Sequence, residues 1–97
     1  MVRHILFWRF SQAVTPENRA EVFDLLHRSV KTLEAIDGVV RCEIGEALPS
    51  SDCDFVFYSE FTSEEALRAF QDHPLHIAHK QRMAPYVQNR LCADYLF

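Results

Sequence analysis

The sequence predicts an α+β fold of order β-α-β-β-α-β, the ferredoxin-like split βαβ with a four-stranded antiparallel sheet. Three observations predict it. Four segments are rich in β-branched and aromatic residues and alternate with a period of two. Between them, apolar residues recur at helical spacing. Each helical pattern also opens on a capping signal and closes on a glycine or proline. At 97 residues the chain makes one domain, spanning 1–97.

Val2 to Phe10 reads as the first strand, with no glycine or proline. Alternation puts His4, Leu6, Trp8 and Phe10 on one face and Arg3, Ile5, Phe7 and Arg9 on the other. Both faces are partly apolar, unlike a strand that is covered on one side only. Thr15-Pro16-Glu17 reads as a helix start, with Thr15 as cap and Pro16 at the first position. Val22, Phe23, Leu26, Val30 and Leu33 then form a core-directed stripe. Asp37-Gly38 ends this helix, with Gly38 free to take the left-handed cap.

Val39 to Leu48 is expected as the second strand, with Val40, Cys42 and Ile44 on one face. Pro49-Ser50-Ser51-Asp52 is a polar turn. Asp54 to Phe61 is the third strand, with Phe55, Phe57 and Ser59 opposed to Val56, Tyr58 and Glu60. Thr62 to Glu65 reads as a capping box that opens a short helix with Ala66, Leu67 and Phe70 inward. Pro74 bars the helical conformation to His73 and starts a further helix, expected from about Leu75 to Pro85. Gln88 to Phe97 is the last strand.

Right-handed crossovers put the first strand at the centre of the sheet, between the third and the fourth. The face under the helices then carries His4, Leu6, Trp8, Phe55, Phe57, Cys92 and Asp94. The opposite face carries Ile5, Phe7, Val56, Tyr58, Leu91 and Tyr95. That face is too apolar to leave in water, so the chain is expected to pair with a second copy through it.

Composition narrows the functional classes. The formal net charge is −4, and Lys and Arg are scattered. This argues against nucleic acid, whose phosphates call for a basic surface. No apolar run approaches a membrane span, and the N-terminus lacks the features of a signal peptide. Cys42, Cys53 and Cys92 are an odd number at wide spacing, as expected of reduced thiols in a cytoplasmic protein. Nothing in the sequence calls for a cofactor. Eight Phe, three Tyr and one Trp supply a bulky core, a hydrophobic pocket or an oligomer face.

Four stretches give the chain a family resemblance: Val2-Arg3-His4-Ile5, Ser59-Glu60-Phe61, Ala69-Phe70-Gln71-Asp72-His73-Pro74-Leu75-His76, and Arg90-Leu91-Cys92-Ala93-Asp94-Tyr95. Together they resemble the stress-responsive dimeric α/β-barrel (Dabb) domain over essentially the whole chain. The resemblance implies a homodimer whose two sheets pack into a barrel. A plant relative, olivetolic acid cyclase, closes a linear polyketide by an aldol step. Likeness to it implies that His4 and His76 are catalytic and that Leu6, Trp8, Val22, Phe23, Leu26 and Phe57 line an apolar pocket. Phe70 stands where the cyclase has a tyrosine, and Phe55 where it has a second pocket histidine.

His4 and Asp94 share a face at neighbouring ends of antiparallel strands, so the carboxylate can hold one imidazole nitrogen. His76, in the first turn of its helix, is the better candidate base, kept neutral by its place there. His73 is expected to bond local backbone, a structural role that it shares with Pro74. His76 and His79 share a helix face, but a metal site would need a third ligand, and none is assigned. His27 reads as a surface residue. Two functions follow: a hydrophobic, histidine-containing pocket for a small organic ligand, with or without proton-transfer or cyclisation chemistry, or a non-catalytic dimeric module. A monooxygenase of the related dimeric barrels would share only the fold.

Overall fold

The computed structural model describes residues 1–97. The strands are β1 (Val2–Phe10), β2 (Val39–Glu46), β3 (Phe55–Phe61) and β4 (Val87–Leu96). The helices are α1 (Arg19–Lys31), α2 (Glu64–Gln71) and α3 (Pro74–Met83). Short 3-10 turns extend α1 over Thr32–Ala35 and α3 over Ala84–Tyr86. All strand pairs are antiparallel, in the order β2-β3-β1-β4. The fold is thus ferredoxin-like with β1 central, as its order of elements implies.

Register fixes the two faces. His4 lies between Ser59 and Asp94, and Leu6 between Phe57 and Cys92. These residues look toward the helices. The core beneath includes Leu26, Leu33, Phe55, Phe61 and Phe70, all without exposed surface. On the far face, Ile5 lies between Tyr58 and Ala93, and Phe7 between Val56 and Leu91. Leu91 keeps 68% and Tyr95 47% of their surface exposed.

Several boundaries differ from the sequence reading. Thr15 does not cap α1: Pro16–Asn18 form a turn, Asn18 N–H donates to the Thr15 carbonyl, and the helix begins at Arg19. Asn18 also bonds the Thr15 N–H and the Ala13 carbonyl, which holds the turn closed and delays the helix. Ser63, not Thr62, caps α2, its Oγ accepting from the Ala66 N–H. α3 starts at Pro74 and gives way to a 3-10 turn after Met83. Val40 is the extra residue of a β-bulge and is 50% exposed, while Val39 takes its place against the core. A second irregularity sets Asn89 and Arg90 opposite Trp8, with Asn89 at φ 56°. It returns Val87 to the helix face, where it packs against the core. Gly38, at φ 87°, takes the left-handed conformation expected of it. A side chain there would also collide with α2, its Cβ 2.5 Å from that of Ala66.

Candidate functional site

A cavity of about 510 Å³ opens between the sheet and α3. Its walls are His4, Leu6 and Trp8 from β1, Phe57 from β3, and Val87 and Arg90 from β4. Gln71 and Asp72 at the end of α2, and His76, His79, Lys80, Met83 and Ala84 of α3 and its extension, close the other side. The helix break at His73-Pro74 makes this arrangement. His73 caps α3, its Nδ1 accepting from the Leu75 N–H at 3.1 Å. The restarted helix then brings His76 and His79 over β1.

His4 is 2% exposed. Its Nδ1–H donates to the Asp94 carboxylate, which fixes the ring and leaves Nε2 as an acceptor. The edges of Phe57, Phe61 and Phe70 pack around it. His76 is fixed in the same sense by the backbone, its Nδ1 lying 3.1 Å from the Gln71 carbonyl, an acceptor only. Nδ1 must therefore carry the proton, and Nε2 is free to take one. Burial lowers the His76 pKa, outweighing the opposing pull of the Gln71 carbonyl. A neutral, hydrogen-bonded imidazole of this kind is suited to general-base work.

The third cavity histidine, His79, escaped the sequence reading as a functional residue. It is 4% exposed, and its Nδ1 meets Ser29 Oγ of α1 at 2.8 Å. Arg82 donates to the same hydroxyl at 2.9 Å. Burial lowers the His79 pKa to about 4, with His76 and Arg82 adding to the effect. The available signal was its spacing from His76, which puts both on one helix face. Trp8 also lines the cavity, while its Nε1 is buried without a hydrogen-bond partner.

Other expected pocket residues fall elsewhere. Val22, Leu26 and Phe55 are packed into the core, and Phe23 packs against it beside Phe10, Phe55 and His27. The α1 stripe satisfies the far end of the sheet and does not reach the cavity. Phe70 lies behind the wall, its ring 4.2 Å from that of His76. Cys92 is exposed, with Sγ 3.6 Å from Asp94 Oδ1 and 3.8 Å from His4 Nδ1. Burial, and then the Asp94 charge, raise its pKa, so it stays a thiol and makes a poor nucleophile. His4, Cys92 and Asp94 bring three metal-ligand atoms within 4.8 Å of one another, but His4 Nδ1 and Asp94 are engaged with each other. No helix is long and apolar enough to cross a membrane.

A family model for the stress responsive A/B barrel domain, Dabb, matches residues 2–97. The chain belongs to the Dabb family. Among solved structures, this Dabb chain is similar to a dimeric protein of unknown function with a ferredoxin-like fold from Bacteroides fragilis. The identity is 26% and the TM-score 0.87, over 99% of this chain and 95% of that one. A dimeric ferredoxin-like protein of unknown function from Thermobifida fusca is 27% identical, with a TM-score of 0.80 over 99% and 90% of the two chains. A Dabb family protein from Mesorhizobium loti is 29% identical, with a TM-score of 0.77 over 98% and 94%. No curated protein matches the sequence.

Proposed function

We propose that this Dabb protein binds a small, partly apolar carbonyl compound in the cavity and moves a proton on it. The carrying observation is that two imidazoles, His4 and His76, line one cavity, each with Nδ1 tied to an acceptor and Nε2 left free. The apolar walls Leu6, Trp8, Phe57 and Met83 suit the body of such a ligand, and Lys80 and Arg90 suit a negative oxygen.

In this reading His76 Nε2 removes a proton from the carbon next to the carbonyl. The C–H bond breaks, its proton goes to the imidazole, and its electron pair moves onto the carbonyl oxygen as an enolate. His4, oriented by Asp94, is the second station, taking up or returning a proton on the sheet side. Attack of the enolate carbon on a second carbonyl of the same molecule would form the ring C–C bond, the alkoxide so produced taking the proton back from the His76 imidazolium; this is the aldol-type closure that likeness to the plant cyclase implies.

Two copies are proposed to associate through the face bearing Ile5, Phe7, Val56, Tyr58, Leu91 and Tyr95. The relatives from B. fragilis and T. fusca are described as dimeric, and this face leaves large apolar side chains exposed.

The test is deuterium wash-out from the methyl group of trideuterated acetophenone in ordinary water, followed by NMR. Wild type is expected to accelerate it, with His76→Ala reducing the acceleration by roughly 100-fold, as for loss of a general base. Equal wash-out with both proteins would refute the reading and leave a non-catalytic dimeric module.

A further inference from the structure

The base proposed above needs a counterpart: once a carbon gives up its proton, the oxygen that receives the charge must be held. We propose that His79 is that counterpart, a neutral N–H donor that selects ligands with an enolate oxygen. This inference rests on the cavity reading above and adds to it the group that binds the oxygen.

The Ser29 hydroxyl decides the His79 tautomer. Its oxygen accepts from Arg82 Nη1 at 2.9 Å. A guanidinium has no acceptor, so the hydroxyl hydrogen must point elsewhere. His79 Nδ1, at 2.8 Å, is the one acceptor it meets. Nδ1 is therefore the unprotonated nitrogen, and Nε2 carries the hydrogen. Nε2 makes no protein hydrogen bond, yet it is not an occluded unpaired atom, a condition that Trp8 Nε1 alone meets. It therefore opens on the cavity that His79 lines.

The two histidines of α3 thus hold their protons on opposite nitrogens. His76 presents a lone pair and His79 an N–H, with ring centroids 6.2 Å apart. A carbon acid and its carbonyl oxygen need one acceptor and one donor on the same side of a cavity. Trp8 Nε1, by contrast, is occluded and unpartnered, and presents no donor to the cavity. Ser29 and Arg82 touch no ligand. They are positioning residues that act through the His79 ring.

Two measurements test this. Nitrogen-15 NMR of wild type should show His79 as the Nε2–H tautomer, and Ser29→Ala should remove that preference. Binding of 1,3-cyclohexanedione, ionised at neutral pH, should be stronger than binding of neutral cyclohexanone. His79→Leu should cut that preference by roughly tenfold, the worth of one hydrogen bond to a charged oxygen. His79→Gln keeps an N–H donor and should retain most of it. An Nδ1–H tautomer in wild type, no preference for the dione, or an unchanged preference in His79→Leu overturns the inference. The NMR arm needs no variant to fold. If tautomer and preference hold while acetophenone wash-out shows no dependence on His76, the His79 donor stands and the base reading falls.

Discussion

The rings of Phe70 and His76 lie against each other, centroids 4.2 Å apart and planes 34° from parallel. Phe70 has no exposed surface and also packs on Phe61, at 4.8 Å. It is the core's support for the His76 ring. Phe70→Ala should cost about 3–5 kcal/mol, the usual range for a fully buried Phe. Phe70→Leu should cost less and keep the fold, but should slow the wash-out reaction by freeing His76. Urea titration and the exchange assay on the same samples separate the two effects. Full stability with full activity in Phe70→Ala would show that the ring supports nothing.

The buried neutral histidines make stability depend on pH. The His79 pKa falls from its ordinary 6.5 to about 4 on folding. Between these values the unfolded chain binds a proton that the folded one refuses, so stability rises with pH there. The contribution is complete above about pH 6.5, is lost as pH falls toward 4, and changes no further below. The full difference is about 3 kcal/mol. The His76 pKa is lowered too, and adds in the same direction. Urea unfolding at pH 7.5 and pH 5 should therefore show a steeper acid loss for wild type than for His79→Gln. Parallel losses would contradict the assignment.

The proposed dimer face offers a direct check. Phe7, set between Val56 and Leu91, lies mid-face. Phe7→Glu would bury charge against its symmetric copy and should give monomer or aggregate. Light scattering at micromolar concentration should find wild type at twice the chain mass, since a stable interface buries more than roughly 1,000 Å². A wild-type monomer would remove this face from consideration.

Gly38 carries two constraints at once. Its φ of 87° suits glycine, and a Cβ there would lie 2.5 Å from the Ala66 Cβ. Gly38→Ala should cost more than about 1 kcal/mol, since strain and collision add. A paired Gly38→Ala, Ala66→Gly variant should recover the part due to collision. Thermal melts of the three proteins would apportion it.

Much of this was legible in the sequence because it rests on periodicity. A period of two placed His4, Leu6, Trp8 and Phe57 on one face, and the register agrees. The Pro74 break was legible because proline constrains the backbone directly. Bulges were not: Val40 and Asn89 interrupt the alternation through pairing between strands, which no local pattern records. The first helix start was misread because Asn18 out-competes Thr15 for the turn. Amphipathicity marks the α1 stripe as core, and there it lies; only the likeness to the cyclase implied pocket lining for Val22, Phe23 and Leu26, and likeness does not say whether space remains beside them. The pairing of His79 with His76 on one helix face was legible, but its role was not, because that depends on Ser29, 50 positions away.

One feature of the His4–Asp94 pair bears on how charge leaves the interior. The imidazole side chain is 3% exposed and the carboxylate 41%. Asp94 also borders a separate recess on the other side of the wall, beside Glu64 and Arg68. The hydrogen bond therefore joins a buried ring to a carboxylate that meets solvent, so a proton at His4 has a route to bulk water along the wall as well as through the cavity mouth.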